Sequence, residues 1–483
     1  MENPQVERPA HAAVDVDNLV SFLEGILQQE ESRRASPPTI HRVRPSVREE
    51  DPRAYDPKIL SLGPFHRGRD GMEEMDKLKR RFMNDLLRRS PHLHSVKRYV
   101  DAVVGCSEEA SAMYGGRLDR QHHLFADGFV ETMVLDGCFL LELLVKSGLG
   151  ELGTALAAAN ANTTLVRNDC LLVENQIPFC VVEALFHESC VDWSSLGEHR
   201  SPPSLRELAT HFLKIKKPPV QPAAAPQVYH LLHLYHSSLD PARWPDSPAK
   251  SFRQRVARNL SKLNLVSPIF YGVLYWVFMC KWPSLSPSDS GKCPRMVPCA
   301  TELMEAGIHI KKRHFQKKGE ECFLRVSFEE GTLEVPFLSV EESTNSKFRN
   351  LVAFEQCCPQ VGNYFTSYAV FMDNIINTAA DVAVLRSCGV MESKLGSDKE
   401  VAHMFNTVCK GAHLNYDKHY LAQVFKGVKQ YCVASRHRWR AKLVHEYFSS
   451  PWSLISVVVA SLLLIFTGMQ AVYAMVAYYR PPK

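Results

Sequence analysis

The sequence lacks the motifs that mark the common classes of enzyme. Its 483 residues contain no Gly-x-Ser-x-Gly nucleophile elbow, no His-Glu-x-x-His metal motif, and no kinase or phosphate-binding-loop set. Cys293 and Cys299 lie close together in sequence, as do His187 and Cys190, but no second pair at zinc-ligand spacing joins either of them. We therefore predict that the protein is not an enzyme and that it binds no metal or cofactor.

The sequence also has a small net charge and few neighbouring cysteines. The formal net charge is only +5, and much of this excess lies in one basic run near the C-terminus, so a nucleic-acid partner is not implied. The 14 cysteines are scattered singly apart from Cys357 and Cys358, which excludes the compact disulfide framework of small secreted domains. The N-terminal residues lack the apolar segment of a secretory signal. We expect mostly reduced, buried thiols and no cleaved leader.

A long stretch without charge is present near the C-terminus. No Asp, Glu, Lys or Arg occurs between Glu446 and Arg480, and a helix needs roughly 20 apolar residues to cross a bilayer. The sequence therefore predicts a transmembrane helix over 452–479, with a core helix as the alternative. Basic residues precede this segment in excess, which predicts a cytosolic body at the plasma membrane or an endomembrane, with membrane lipid as a partner. The nearest of them form a basic collar: Arg436, Arg438, Arg440 and Lys442.

The remainder of the chain predicts a large, mainly α-helical globular head. Residues 1–36 are polar and predict a mobile leader before the head, which we assign to 37–445. Within the head, helical periodicity recurs at 72–90, 127–147, 170–187, 364–388 and 399–410. Proline-rich stretches predict surface loops near 201–226, 241–248 and 283–298.

One segment of the head, 322–338, changes to a two-residue period. Its apolar residues alternate on both sides of Glu329-Glu330-Gly331. A three-residue loop that ends in glycine is a favoured hairpin connection, because glycine accepts the left-handed conformation that the turn needs. We predict a small β-hairpin inserted among the helices.

Two patterns imitate functional motifs. Gly148, Gly150 and Gly153 match the dinucleotide-binding glycine spacing, and Asp169 lies at about the distance of a ribose contact. The preceding segment is too long and too rich in leucine for a strand, so we interpret the glycines as a helix end. Ser397, three residues before a glutamate, has capping-box spacing and predicts a helix start, not a catalytic serine.

Several carboxylates lie inside apolar segments. Buried acids must be neutral, paired or hydrogen-bonded, and paired acids can act as general acid and base. We expect structural networks, with Arg167, Arg349 and Arg386 as possible partners. The alternative is an enzyme with a deep pocket in which at least two of Asp136, Glu174 and Glu355 converge. The other acids of this kind are Asp169, Asp373 and Asp381.

Ordered blocks of sequence extend over about 40–479. They include YDPKILSLGPFHRG at 55–68, LDGCFLLEL at 135–143, ENQIPF at 174–179, FRNLVAFEQC at 348–357 and LGSDKEV at 395–401. In this order they resemble the plant DUF247 family, also called UPF0481. Two departures are visible, because the family usually has proline where this chain has Arg44 and a second histidine where it has Arg67. The family-motif residues, which we expect to be structural, are Asp136, Glu174, Asn175, Gln176, Pro178, Arg349, Asn350, Glu355 and Gln356.

The resemblance implies a plant membrane protein without an established catalytic activity. Some grass members of the family are associated with self-incompatibility, as candidate pollen-side determinants. Our leading hypothesis is a membrane-anchored protein whose helical head binds a protein partner or signals, with self/non-self recognition as suggested for those members. The alternative is a membrane-tethered enzyme that uses the buried carboxylates in a reaction that the sequence does not define.

Overall fold

Two compact units make up the part of the chain that the computed structural model describes. The described residues are 18–25, 27, 39–89, 95–114, 126–157, 159–189, 191, 193, 202–216, 227–244, 293–315, 322–433 and ten positions between 459 and 474. Unit 1 comprises Met1–Ile215, Ala225–Ser237 and Ala353–Gly362, and unit 2 comprises Lys216–Ala224, Ser238–Val352 and Asn363–Lys483. The prediction of a mainly helical protein with small β elements is confirmed.

Unit 1 is helical throughout its regular structure. Its helices are α1 (Pro45–Arg48), α2 (Glu73–Arg89), α3 (Val96–Gly105), α4 (Ser107–Met113), α5 (Ala126–Gly148), α6 (Leu152–Ala157), α7 (Thr163–Asp169), α8 (Phe179–Glu188), α9 (Leu205–Phe212) and α10 (Leu231–Ser238). Short 3-10 turns occur at Pro52–Tyr55 and Pro64–His66.

Helix α5 forms the centre of unit 1, and α2, α3, α8 and α9 pack against it. Between residues 132 and 146 only Leu135 is partly exposed, because this stretch is apolar on almost every face. Phe82 of α2 stacks on Phe139 of α5 with ring centroids 5.2 Å apart. Gly137 allows α8 to approach closely, since a Cβ atom there would lie 2.6 Å from Leu185 Cδ1.

Unit 2 combines helices with two small sheets. Its elements are a 3-10 turn (Pro241–Arg243), α11 (Ala300–Glu305), β1 (His309–Lys312), β2 (Ser327–Glu329), β3 (Thr332–Val335), β4 (Leu338–Val340), α12 (Glu342–Cys357), α13 (Tyr364–Ile375), α14 (Ala379–Ser387), β5 (Met391–Ser393), α15 (Asp398–Val408) and α16 (Ala422–Val433). The last turn of α12 and the 3-10 turn Pro359–Val361 are counted with unit 1. One sheet has the order β1-β3-β2, and β4 pairs with β5 in parallel.

The predicted β-hairpin is present as β2 and β3. The antiparallel register pairs Glu329 with Thr332, so the loop has two residues instead of the expected three. Those residues, Glu330 and Gly331, both have positive φ, at 46° and 79°. Such a turn matches the right-handed twist of the paired strands. The strands are shorter than the predicted 322–338, and β1 extends the hairpin into a three-stranded sheet by pairing in parallel with β3.

Some helix predictions need correction at prolines and caps. The segments 72–90, 127–147 and 399–410 correspond to α2, α5 and α15, whereas 170–187 contains a non-helical stretch over 170–178 before α8. The predicted helix 364–388 divides into α13 and α14, because Thr378 and Asp381 form a capping box that starts a new helix. Likewise, Ser204 caps α9 inside the predicted proline-rich loop 201–226.

The predicted transmembrane helix over 452–479 is wrong. Among the residues that the structure describes, no helix is long and apolar enough to cross a membrane. The basic collar at 436–442 lies outside the described residues.

Candidate functional site

Three buried side chains of unit 1 bind the backbone of the loop between α1 and α2. We call Asp136, Asp169 and Asn175 the loop clamp. Asp169, the last residue of α7, accepts three consecutive amide N–H groups: that of Lys58 on Oδ1 at 3.0 Å, and those of Ile59 and Leu60 on Oδ2 at 2.8 and 2.9 Å. Both carboxylate oxygens are therefore occupied by backbone donors.

Asn175 holds the next residues of the same loop. Its Oδ1 accepts the Leu62 N–H at 2.6 Å, while its Nδ2 donates to the carbonyls of Leu60 and Asp169 at 2.8 and 2.9 Å. The side chain is completely buried, and three of its four hydrogen-bonding positions are filled. The amide thus joins the loop to the end of α7.

Asp136 completes the clamp from α5. Its Oδ2 accepts the Gly63 N–H at 2.9 Å, and its Oδ1 lies 2.7 Å from the Lys79 ammonium. Burial raises the pKa of Asp136, although Lys79 and the Gly63 amide oppose the shift. Gly63 has a φ of +71°, and a Cβ atom there would lie 2.8 Å from the carbonyl oxygen of Gln176. The loop therefore passes close to the ENQIPF block at this point.

Glu174 binds the chain just before the loop. Its Oε1 accepts the Val43 N–H at 2.6 Å, and its Oε2 lies 2.7 Å from Nη2 of Arg48. Arg48 also contacts Asp56 at 2.8 Å, and the paired guanidinium of Arg69 holds the pKa of Asp56 down at about 2. The Nε2 atom of His66 lies 3.5 Å from Glu174, and burial lowers the pKa of that imidazole.

Gln176 and Pro178 connect this region to α8 and α10. Gln176 donates to the carbonyls of Cys170 and Leu172 at 2.9 and 2.6 Å, and its Oε1 accepts the Leu232 N–H at 3.1 Å. Pro178 is the residue before the first turn of α8, a position where the missing N–H costs nothing. The ENQIPF block is therefore a buried connector in unit 1.

The FRNLVAFEQC block lies on α12. Glu355 contacts His236 through Oε1 and Nε2 at 2.7 Å, and the adjacent Phe354 packs edge-on against two buried histidine rings, with the centroid of His230 at 5.2 Å. In unit 2, Arg349 donates to Asn345 and Thr407, and Asn350 donates to the Ser346 carbonyl. Gln356 is half-buried.

The remaining acids and arginines have other partners than the sequence suggested. Hydrogen bonds from Thr301 and Thr378 outweigh the effect of burial and lower the pKa of Asp381 to about 2, while burial raises the pKa of Asp373. Arg167 donates to the carbonyl of Phe212 at 2.6 Å. Arg386 lies 2.8 Å from Asp398. The partners of the clamp acids, Lys79 and the backbone amides, are more than 50 residues away in sequence, so no local pattern indicated them.

The three acids that could have formed a catalytic pair have separate environments. Asp136, Glu174 and Glu355 are each at most 4% exposed. Asp136 contacts Lys79 and the Gly63 N–H, and Glu174 contacts Arg48 and the Val43 N–H, all at 3.0 Å or less. Glu355 contacts His236 at 2.7 Å. A substrate would have to displace an internal hydrogen bond at each of them. This arrangement favours structural support over general acid–base chemistry.

The two departures from the family pattern differ in their surroundings. Arg67 donates to the Gly128 carbonyl at 2.8 Å and to the Thr132 hydroxyl, and it pairs with Glu131 at 3.0 Å, so it fixes the loop to the first turns of α5. Arg44 is exposed at the start of α1. The departure at Arg67 therefore connects the loop to α5.

One cysteine–histidine contact occurs in unit 2. The Sγ atom of Cys293 lies 3.8 Å from Nε2 of His419 and 3.6 Å from the carbonyl oxygens of Pro294 and Ala422. Burial raises the pKa of the Cys293 thiol and lowers that of His419, and Nδ1 of His419 has no hydrogen-bond partner among the described residues. A nucleophilic cysteine needs the opposite shift and an oriented base. Within the described ranges, no group of three or more potential ligands could hold a metal ion.

The sequence comparisons identify the family of the chain. The sequence model of the family DUF247, described as a plant protein of unknown function, matches residues 40–466. The chain belongs to the DUF247 family. It is 28% identical to a UPF0481 protein of Arabidopsis thaliana over 455 residues, covering 92% of this chain and 87% of the relative. It is 23% identical to a putative UPF0481 protein of the same plant, covering 87% of each. No solved structure matches the chain significantly.

Proposed function

We propose that this DUF247 protein acts by binding a protein partner through the outer surface of its helical units. The observation that carries the proposal is the occupation of the family-block acids by internal donors, from the three amides on Asp169 to the His236 contact of Glu355. The residues that stabilise the fold are therefore different from the residues that would contact a partner. Signalling and self/non-self recognition would each be a form of such binding.

The outer face of α3 is the best candidate surface in unit 1. Val96, Val100 and Val104 follow one another at four-residue spacing, which places them along one side of the helix. Val96 is 42% and Val104 53% exposed, while Tyr99 and Val103 fill the core side of the same helix. Val100 between them is half-buried. Apolar side chains at this spacing along one side of a helix are a common way for a helix to contact another protein.

Proximity labelling in plant cells followed by direct binding tests the proposal. The full-length protein is compared with a variant carrying Val96→Asp and Val104→Asp, and with a control carrying Val433→Asp, which alters an equally exposed valine at the end of α16. Each protein that the wild type labels is purified and titrated with all three forms. We expect the α3 variant to bind at least about tenfold more weakly, since it would bury unpaired carboxylates.

The control separates a docking surface from a general effect of added charge. Binding by the Val433→Asp form should equal that of the wild type. Equal affinity of all three folded forms for every purified partner would contradict a role for α3. Failure of every labelled protein to bind the wild-type chain directly would refute the proposed function itself.

A further inference from the structure

Strand β1 is an edge strand of the three-stranded sheet in unit 2. The sheet order is β1-β3-β2, so among the described residues β1 pairs with β3 on one side and with no strand on the other. His309 and Arg313 donate their N–H groups to carbonyls at either end of β3, each at 2.8 Å. Because backbone groups alternate in direction along a strand, the N–H and C=O groups of Ile310 and Lys312 are directed away from β3. Neither of these N–H groups donates a hydrogen bond within the described ranges, so both can pair with a further strand.

The edge that β1 presents is basic along its length. Residues 309–314 read HIKKRH and contain no carboxylate. The side chains of His309 and Lys311 are exposed. Glu334 of β3 lies opposite Lys311 in the register but is half-buried, and no salt bridge joins the two. The other edge strand, β2, carries Glu329 and no basic residue, so the sheet is basic at one edge and acidic at the other.

Aromatic rings border the basic edge. Phe337, which follows β3, is 38% exposed, and the Lys312 ammonium lies 4.3 Å from the centre of its ring. The guanidinium groups of Arg313 and Arg325 lie 6.0 and 5.7 Å from the ring centre of Phe315. Cationic groups that lie against aromatic rings keep their charge while their apolar parts are covered. The edge therefore combines positive charge and apolar surface with backbone groups that face outward.

We propose that β1 binds an extended, acidic segment of a protein partner, which adds a fourth strand to the sheet. Main-chain hydrogen bonds to Ile310 and Lys312 hold the segment, and carboxylates on every second residue lie beside His309 and Lys311. A second copy of this chain is a poor occupant, since pairing two β1 edges places like charges opposite each other. The proposal rests on the protein-binding function proposed above, but not on the α3 surface of unit 1.

Titration of the full-length protein with three synthetic peptides tests the proposal. Each peptide has about ten residues, a fluorescent label and blocked ends, long enough to span the edge of β1. The first alternates Glu with Val, the second has Lys in place of every Glu, and the third has Pro in place of every Val. Proline keeps the charge of the peptide but cannot form a regular strand.

Only the first peptide should bind with a measurable affinity. We expect its fluorescence anisotropy to saturate, and its affinity to fall when salt is added, because salt screens exposed charges. The lysine and proline peptides should bind at least about tenfold more weakly. Bound acidic peptide should also slow the hydrogen exchange of the Ile310 and Lys312 amides, since it would accept hydrogen bonds from them.

Four variants locate the binding site. Lys311→Glu reverses an exposed charge and should weaken binding of the acidic peptide about tenfold or more. Lys399→Glu makes the same change at an exposed lysine of α15 and should leave binding unchanged. Lys312→Pro removes an outward N–H group, which an edge strand tolerates, and should weaken binding more than Lys312→Thr, which removes the same charge but keeps the donor.

The possible outcomes distinguish this edge from the α3 surface. The proposal is overturned if the acidic peptide does not saturate, if the proline peptide binds equally well, or if Lys311→Glu and Lys399→Glu have equal effects. None of these results affects the proposed function, because that function is tested with labelled partners and the α3 variant. The comparison of the two lysine-to-glutamate variants is decisive even if the proline variant folds poorly.

Discussion

Removing the Asn175 amide should open the loop clamp. The change Asn175→Ala deletes one acceptor and two donors that join the loop to the end of α7. The Asp169 carbonyl still accepts the Leu172 N–H at 3.3 Å, but the Leu62 N–H and the Leu60 carbonyl are left without the partners seen here. Two buried backbone groups therefore lose their hydrogen bonds.

The expected cost follows from that count. An unsatisfied buried donor or acceptor costs about 1–3 kcal/mol, so two of them predict a loss of about 4 kcal/mol. Such a loss is a large fraction of the roughly 5–15 kcal/mol that stabilises a typical domain. Because the lost contacts are concentrated on one loop, the loop should open before the rest of unit 1 unfolds.

Hydrogen exchange of the full-length protein measures this local opening. Amides of residues 58–63 should exchange about a thousandfold faster in the variant, since every 1.4 kcal/mol is a factor of ten. Asn168→Ala makes the same chemical change at a half-buried position seven residues earlier and should leave their exchange unchanged. Equal protection of the loop in wild type and Asn175→Ala would refute the clamp.

Three further predictions also concern unit 1. Gly63→Ala should destabilise the protein far more than Gly71→Ala in a denaturant titration. Both glycines have a positive φ, which costs alanine about 1–2 kcal/mol, but only the Cβ atom added at Gly63 would clash with a backbone oxygen. Phe354→Ala should cost roughly 3–5 kcal/mol by calorimetry, against about 1 kcal/mol or less for the 38% exposed Phe337. Burial lowers the pKa of His233 to about 4, so between pH ~6.5 and 4 the unfolded chain is protonated at this histidine and the folded chain is not. The free energy of unfolding should therefore fall by up to about 3 kcal/mol as the pH drops to 4, and His233→Asn should reduce this pH dependence.

Each of these comparisons has an outcome that contradicts its premise. Equal losses for the two glycine variants would mean that Gly63 does not approach the Gln176 carbonyl closely. Equal losses for the two phenylalanine variants would mean that the aromatic ring on α12 is not a core residue. A pH slope that is identical with and without the histidine would show that its imidazole titrates normally in the folded protein.

Local patterns in the sequence predicted elements whose signals are local. Helix α5 was predictable from the helical periodicity of 127–147, and the hairpin was predictable from its alternation and Gly331. The break between α13 and α14 was missed because apolar residues continue across it, whereas Thr378 changes the backbone through one capping interaction. Periodicity does not detect a cap inside an apolar run.

The candidate site is formed by contacts between residues that are far apart in the sequence. The buried acids were recognised from their apolar surroundings, but arginines nearby in sequence were proposed as partners, and Asp169 instead binds amides 109 to 111 residues earlier. Glu174 pairs with an arginine 126 residues away. The terminal apolar segment shows the opposite error, because composition alone predicted a spanning helix there.

The loop clamp holds its loop by groups that nearly every amino acid possesses. Asp136, Asp169 and Asn175 bind amide N–H groups at residues 58, 59, 60, 62 and 63. Proline alone lacks the N–H group. Any residue other than proline at positions 58, 59, 60 and 62 therefore keeps the backbone group that the clamp binds, whereas Gly63 must also keep its positive φ. Apart from Gly63, these positions can change their side-chain chemistry over evolutionary time while the path of the loop through unit 1 stays the same.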